Sequence, residues 1–228
     1  MLPSYYGVVE MQVSGGTPPV TYYATQVCGY ICPTTIDTTQ IYSITRSFWV
    51  QPKNGIFYLN NICNISRAYI CINAGVIEFR DSLVSSRCTL SCSYTCTDWY
   101  MMTMKSNDIL NYLCVIMYDK NGLYENVCWS ANFSYFYTYL NRYNISNSSN
   151  ASFRNFAQWN NRELTDAEVS CLWNGGCPYN NSNLPAGLTT NLYTWINLNG
   201  SANQLCDYGS GANNAVCYPG TTLNCVTF

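Results

Sequence analysis

Phe153-Arg-Asn-Phe-Ala-Gln-Trp159-Asn-Asn-Arg162-Glu-Leu164-Thr165-Asp166-Ala-Glu168-Val169-Ser-Cys171-Leu172-Trp173-Asn174-Gly175-Gly176 decides the fold, because its period changes halfway. Phe153 to Trp159 is an aromatic-rich run of strand length. Thr165 followed three residues later by Glu168 is a capping box, with Leu164 just ahead of it. Val169, Leu172 and Trp173 then fall on one helical face, and Gly175-Gly176 supplies the stop. The stretch predicts a strand leading into one short helix of two to three turns, docked as a staple on the edge of a sheet. Asp166 and Glu168 read as capping and dipole partners rather than catalytic acids.

Outward from there the pattern is all β. Short β-branched and aromatic runs lie at Val8–Val13, Val20–Tyr23, Ile41–Val50, Ile56–Leu59, Tyr69–Ile72, Val76–Phe79, Trp99–Met104, Leu113–Tyr118 and Phe133–Leu140. Such spacing predicts a sandwich or barrel. Lys53-Asn54-Gly55, Asn73-Ala74-Gly75 and Lys120-Asn121-Gly122 are hairpin-turn signals, since each offers residues that tolerate positive φ. The alternation in Ile41–Val50 changes phase near Ser47, which predicts a bulge there.

Composition narrows the chemistry. The chain has 228 residues, 14 Cys, 21 Tyr, no His and a net charge of −2, with 10% of its residues charged against roughly 25% in an average soluble domain. Without His, the usual general base, zinc ligand and neutral-pH switch are gone, and Ser-His-Asp or Cys-His sets cannot be built. Without a basic block, nucleic acid is not an expected partner. The longest apolar stretch, Tyr112–Tyr118, is far short of a membrane span. Met1-Leu2-Pro3 opens no charged start and apolar run, so export is expected through a signal outside this numbering or through packaging into a virus particle.

The even number of cysteines, with no Cys-x-x-Cys, reads as a disulfide framework in an oxidising compartment. It comprises Cys28, Cys32, Cys63, Cys71, Cys88, Cys92, Cys96, Cys114, Cys128, Cys171, Cys177, Cys206, Cys217 and Cys225. Spacing suggests local staples at Cys28–Cys32, Cys88 with Cys92 or Cys96, Cys171–Cys177 and Cys206–Cys217, while the connectivity as a whole stays open. Asn-x-Ser/Thr acceptors for N-glycans stand at Asn64, Asn132, Asn144, Asn147, Asn150, Asn180 and Asn199. The tandem set 144–150 marks a polar loop, and a sleeve of sugar there would keep a weakly charged surface soluble.

The 153–176 stretch resembles the closing strand and helix of the laminin G-like, concanavalin A-like sandwiches, whose pattern "nraLsdaEi..lyngG" is matched at Arg162, Leu164, Thr165 to Glu168, Val169, Trp173 and Asn174-Gly175. Ser47-Phe48-Trp49-Val50-Gln51-Pro52 is similar to that family's "sfWvkp" strand, Ala74 to Phe79 to its "g.i.f" hairpin, and Asp98 to Met104 to its "gtWyhiv.t" strand. The matches cover residues 41–177. The resemblance implies an antiparallel jelly-roll β-sandwich with one short C-terminal helix. The family's opening strand is missing from the amino terminus; Asn191 to Ser201 followed by Asp207 to Asn214 resembles it instead. Residues 1–183 therefore read as the sandwich. Residues 184–228 read as a Cys-containing segment that is a truncated repeat, completes the same sandwich, or exchanges with a neighbouring subunit.

The family binds glycans or proteins, often with calcium, or serves as a structural module; some relatives are glycosidases. A retaining glycosidase needs two carboxyl groups about 5–5.5 Å apart, and no strand here carries acids two or four residues apart. The expected function is non-enzymatic: a disulfide-stapled, N-glycosylated structural protein of an extracellular layer, appendage, cell surface or virion coat. Its expected partners are copies of itself, neighbouring coat proteins and glycans. The alternative is a carbohydrate-binding or receptor-binding lectin assisted by calcium. Tyr135, Tyr137 and Tyr139 share one strand face and are the candidate stacking residues. Asp98, Asp108 and Asp119 are dispersed candidates for a calcium ion, too scattered to define a site, so no cofactor is assigned.

Overall fold

The computed structural model describes residues 22–33, 41–52, 57–59, 68–73, 76–81, 87–90, 97–107, 109–110, 112–130, 145–147, 151–180, 183–212, 214–217 and 221–228. In chain order the strands are β1 (Tyr23–Pro33), β2 (Ser43–Gln51), β3 (Phe57–Leu59), β4 (Ala68–Asn73), β5 (Val76–Asp81), β6 (Arg87–Leu90), β7 (Tyr100–Asn107), β8 (Tyr112–Asp119), β9 (Gly122–Ser130), β10 (Ile145–Asn147) and β11 (Ser152–Asn160). Helices α1 (Asp166–Trp173) and α2 (Ala186–Thr189) follow, then β12 (Leu192–Ile196), β13 (Ala215–Cys217) and β14 (Thr222–Thr227). Among the described residues all the pairings are antiparallel, giving an all-β jelly-roll sandwich. The main sheet runs β14-β1-β11-β2-β7-β8-β9, with β12 beside β11, and the second runs β13-β1-β10-β3-β4-β5-β6. β1 belongs to both: Tyr23–Cys28 pairs with β14, and Gly29–Pro33 with β10 and β13. A strand that changes sheets in this way forms a corner of the sandwich.

The central strands of the main sheet, β2, β7, β8 and β11, are buried on both faces. Phe48, Val50, Met102, Val115, Phe153 and Phe156 fill the core on one side, and Trp49, Met101, Ile116, Ala157 and Trp159 a second core on the other. That double burial explains the imperfect alternation of Ile41–Val50. β2 itself is regular against β7, and the bulge expected near Ser47 sits in β11 instead. There Arg154 faces Trp49 while Ala157 faces Ser47, so one extra residue is inserted. Asn155, with φ 52°, absorbs it.

Helix α1 begins as its sequence dictates: Thr165 is the N-cap, and both halves of the capping box are present. Asn174, at φ 49°, ends it one residue before the glycines. The helix does not staple an edge. It covers the outer face of the main sheet, burying Val169 and Leu172 against Met101, Trp159 and Trp195.

Residues 192–198 join the sandwich of their own chain, β12 pairing with β11 from Phe156 to Trp159. Asp207 locks this strand in place, its Oδ1 accepting from Trp195 N at 2.8 Å and Gly209 N at 2.9 Å. Gly209 is required there: a Cβ would stand 2.2 Å from the Tyr193 carbonyl oxygen.

The cysteine pairing differs from the spacing-based expectation. Cys114 and Cys128, opposite each other on β8 and β9, are bridged with Cα atoms 4.0 Å apart. Cys171, Cys177, Cys206, Cys217 and Cys225 are unbridged in this structure. Cys28 and Cys32 lie on one continuous strand, which separates their Cα atoms by roughly 13 Å, beyond the ~7 Å limit for a bridge. For Cys114 and Cys128 it is cross-strand register that brings the partners together. Cys71 and Cys88 lie on β4 and β6; Cys63, Cys92 and Cys96 fall outside the described residues.

Candidate ligand-binding cleft

Five segments that are distant in sequence meet at one end of the main sheet. The register places Val50 of β2 beside Tyr100 of β7, and Met101 beside Tyr118 of β8. Trp49, Trp99 and the two-residue Lys120-Asn121 turn therefore gather at that end. Gln51 Nε2 donates to Thr97 O at 2.7 Å, tying the approach to β7 onto β2. Trp173 stacks on Tyr118 at 5.5 Å, and its Nε1 donates to Asp119 O at 2.9 Å. These contacts fix the end of α1 to the β8–β9 turn. β14 delivers Phe228.

Together they line a cleft of about 340 Å³. Its floor is aromatic: Phe228 lies 4.6 Å from Trp99 at an interplanar angle of 32°, and 5.2 Å edge-on from Trp49 at 83°. Asp98 and Lys120 stand on the rim, with Lys120 Nζ 3.9 Å from Asp98 Oδ2. Gly175 and Gly176, at φ 62° and 86°, form the remaining wall. The backbone turn there needs glycine for its φ values, and a Cβ built at either position meets nothing within 4 Å, so this side is open.

Phe228 is held from beneath. Its N–H donates to Tyr22 O at 3.0 Å, and the Arg154 guanidinium lies 5.8 Å from its ring and 5.3 Å from that of Tyr22. Arg154 is buried; it donates from Nη1 to Tyr23 O and from Nη2 to Asn180 Oδ1 at 3.3 Å. Burial lowers its pKa to about 10, opposed by Tyr22, so it is charged at neutral pH.

Of the residues singled out from sequence, Asp98 lies in the cleft. Asp119 instead caps the neighbouring turn, Oδ1 accepting from Asn121 N at 2.6 Å. Asp108, Tyr135, Tyr137, Tyr139, Asn64, Asn132, Asn144 and Asn150 lie outside the described residues. Asn147 is on β10. Asn180 is exposed and bonded to Arg154, and Asn199 Oδ1 accepts from Ser201 Oγ at 2.7 Å. Among the described residues, no group of three or more His, Cys, Asp or Glu is placed to hold a metal ion, and no helix is long and apolar enough to cross a membrane. Sequence reasoning did not assemble the cleft, although Trp49, Asp98-Trp99 and Gly175 all sit in the segments that carry the family pattern.

No protein-family model and no curated protein sequence matches the chain. Solved structures do. A candidate carbohydrate-binding protein from Bacteroides ovatus ATCC 8483 superposes with a TM-score of 0.58 at 9% identity, over 91% of this chain and 60% of that one. The heptameric SAP-like pentraxin of Limulus polyphemus gives 0.51 at 10% identity, over 89% and 94%. Domains LG4-5 of the mouse laminin alpha1 chain give 0.39 at 13% identity, over 61% and 41%. The first two share with this chain a sandwich fold of the concanavalin A-like type. At these identities the likeness is one of fold. The chain spans about 60% of the length of the Bacteroides ovatus protein. Within the concanavalin A-like sandwich described here, the cleft is framed by the ends of β2, β8 and β14, the approach to β7 and the end of α1.

Proposed function

We propose that this chain is a non-enzymatic carbohydrate-binding module acting outside the cell or on a cell or particle surface, and that the cleft floored by Trp49, Trp99 and Phe228 holds the sugar. The observation that carries the reading is the cleft itself: about 340 Å³, an aromatic floor, and one carboxylate with one ammonium at the rim. Pyranose rings present an apolar C–H face that stacks on aromatic rings and hydroxyls that need few, well-placed polar groups. The resemblance in fold to the candidate carbohydrate-binding protein of Bacteroides ovatus supports the same reading. It gives the alternative drawn from sequence more weight than the structural-coat reading.

One observation favours a surface-attachment role alongside it. Ile109 and Leu110 are 70% and 65% exposed at the β7–β8 turn, and Tyr42 is 50% exposed at the start of β2, at the end of the sheet opposite the cleft. Exposed apolar side chains at that end suit contact with a neighbouring protein. N-glycans on the exposed Asn180 and the half-buried Asn199 belong to this extracellular reading.

The test is a glycan-array screen of the intact chain, followed by titration of the leading sugar with tryptophan fluorescence as readout. Binding is expected to change the emission. Trp99→Ala is expected to weaken it tenfold or more while leaving the melting temperature within a few degrees. An array without a hit, or a hit indifferent to Trp99→Ala, overturns the assignment to this cleft.

A further inference from the structure

We infer that the sugar taken by this cleft is a neutral pyranose read through two adjacent hydroxyls, with Asp98 accepting from one, Lys120 donating to the other, and Trp99 covering the ring's C–H face. The inference rests on the cleft being a glycan site and adds the class of sugar.

The rim carries one negative and one positive group, and among the described residues lining the cleft these are the charged ones. The two rim charges cancel, and the Arg154 cation behind the floor lies against the Phe228 ring and donates to Tyr23 O and Asn180 Oδ1, so the rim itself offers no net attraction to an ionic ligand. A uronic or sialic acid would gain Lys120 only by bringing its carboxylate up to Asp98, and an amino sugar would meet Lys120. A hydroxyl both donates and accepts, whereas a carboxylate only accepts and an ammonium only donates. Neighbouring hydroxyls therefore satisfy both groups at once. Nζ and Oδ2, 3.9 Å apart in the closed pair, stand at one edge of the cleft, within reach of neighbouring hydroxyls.

Opening the pair costs little. Lys120 is 73% and Asp98 39% exposed, so water screens their attraction. The half-buried Trp99 stands next to Asp98 in sequence, which puts the stacking ring and the acceptor on one short segment. On the far wall, the absence of side chains at Gly175 and Gly176 leaves room for a ring substituent or a continuing glycan.

The intact chain would be titrated, by calorimetry and by NMR of the tryptophan indole signals, with methyl α-D-mannopyranoside, methyl β-D-galactopyranoside, methyl β-D-glucopyranoside, D-glucuronic acid and N-acetylneuraminic acid. At least one neutral glycoside is expected to bind at millimolar or better affinity, unchanged between low and high salt, with both acids at least tenfold weaker. Asp98→Asn and Lys120→Met are each expected to weaken the neutral sugar tenfold or more. Both sites are on the surface, so the melting temperature serves as the check that the variants fold. Acids binding as tightly as neutral sugars would overturn the neutral-sugar inference and leave glycan binding standing, as would neutral sugars indifferent to both variants. Failure of every sugar to perturb the indole signals would overturn the glycan reading as well.

Discussion

Arg154 shows how a single residue can serve both fold and site. Its guanidinium sits between the rings of Tyr22 and Phe228, bonded to Tyr23 O and Asn180 Oδ1, and so joins β1, β14 and the loop after α1 beneath the cleft floor. Planarity suits arginine to this stacked, multiply bonded role, which a lysine could not reproduce. The cysteines behave less uniformly than their even number suggests. Cys171, Cys177 and Cys225 are exposed thiols, whereas Cys217 is half-buried and its thiol is pushed up by desolvation. Because the thiolate is the reactive form, brief iodoacetamide treatment of the native chain followed by peptide mass spectrometry should label Cys171, Cys177 and Cys225 first and Cys217 slowly. Cys114 and Cys128 should label only after reduction. Protection of the three exposed thiols before reduction would show that they are bridged in solution, as an oxidising framework requires.

Among the elements, α1 was the most legible, because a capping box is a local signal that needs no tertiary partner. Thr165 N and Oγ1 both donate to Glu168 Oε2, and Arg162 pairs with the same carboxylate. Desolvation would raise the Glu168 carboxyl, but the Thr165 hydrogen bonds and the Arg162 charge outweigh it and hold it below the usual carboxylate range. A depressed carboxyl pKa stabilises the fold above the unfolded value of about 4.3, and that stability is lost as pH falls through the folded value. Glu168→Gln should therefore lower the melting temperature near pH 7 by about 2–4 °C, for a loss of about 1 kcal/mol. The gap should close near pH 3, and calorimetry at the two pH values decides; an equal gap at both would mean the carboxylate charge is not involved. The strands with dense apolar runs, β2, β7, β8 and β11, were legible for a similar reason. β9, Gly122-Leu-Tyr-Glu-Asn-Val-Cys-Trp-Ser130, was not, because it pairs beyond β8 and its residues are half-buried or exposed where described. β1 was masked by the closeness of Cys28 and Cys32, which suggested a local staple where the chain is extended. The cleft was illegible for a further reason: Trp49, Trp99, Lys120 and Gly175 meet only through strand register, and Phe228 arrives from the far end of the chain.

At the scale of the whole molecule, the carboxyl-terminal segment is structural rather than appended. β12 and β14 pair with β11 and β1, so the segment supplies neighbours to two strands of the main sheet. Ile196 and Leu198 enter one core, and Leu188, Leu192 and Trp195 the other, each nearly inaccessible to solvent. Burial of a side chain of that size contributes roughly 1.5–3 kcal/mol, so together these residues rival the whole stability of a typical domain, about 5–15 kcal/mol. The outer core would suffer most, since Trp159 packs against Leu188 and donates its Nε1 hydrogen to Leu188 O at 2.7 Å. A fragment of residues 1–183 should therefore not fold, even though it carries the matches to the family pattern at residues 41–177. Near-ultraviolet circular dichroism and amide NMR dispersion of the fragment are expected to show lost tertiary packing, with no cooperative thermal transition, where the full chain melts cooperatively. Adding a peptide of residues 184–228 should restore some native signal if the loss is one of missing strands. A fragment that melts cooperatively by itself would make the segment a separate unit resting on a finished sandwich, and Phe228 a removable part of the cleft.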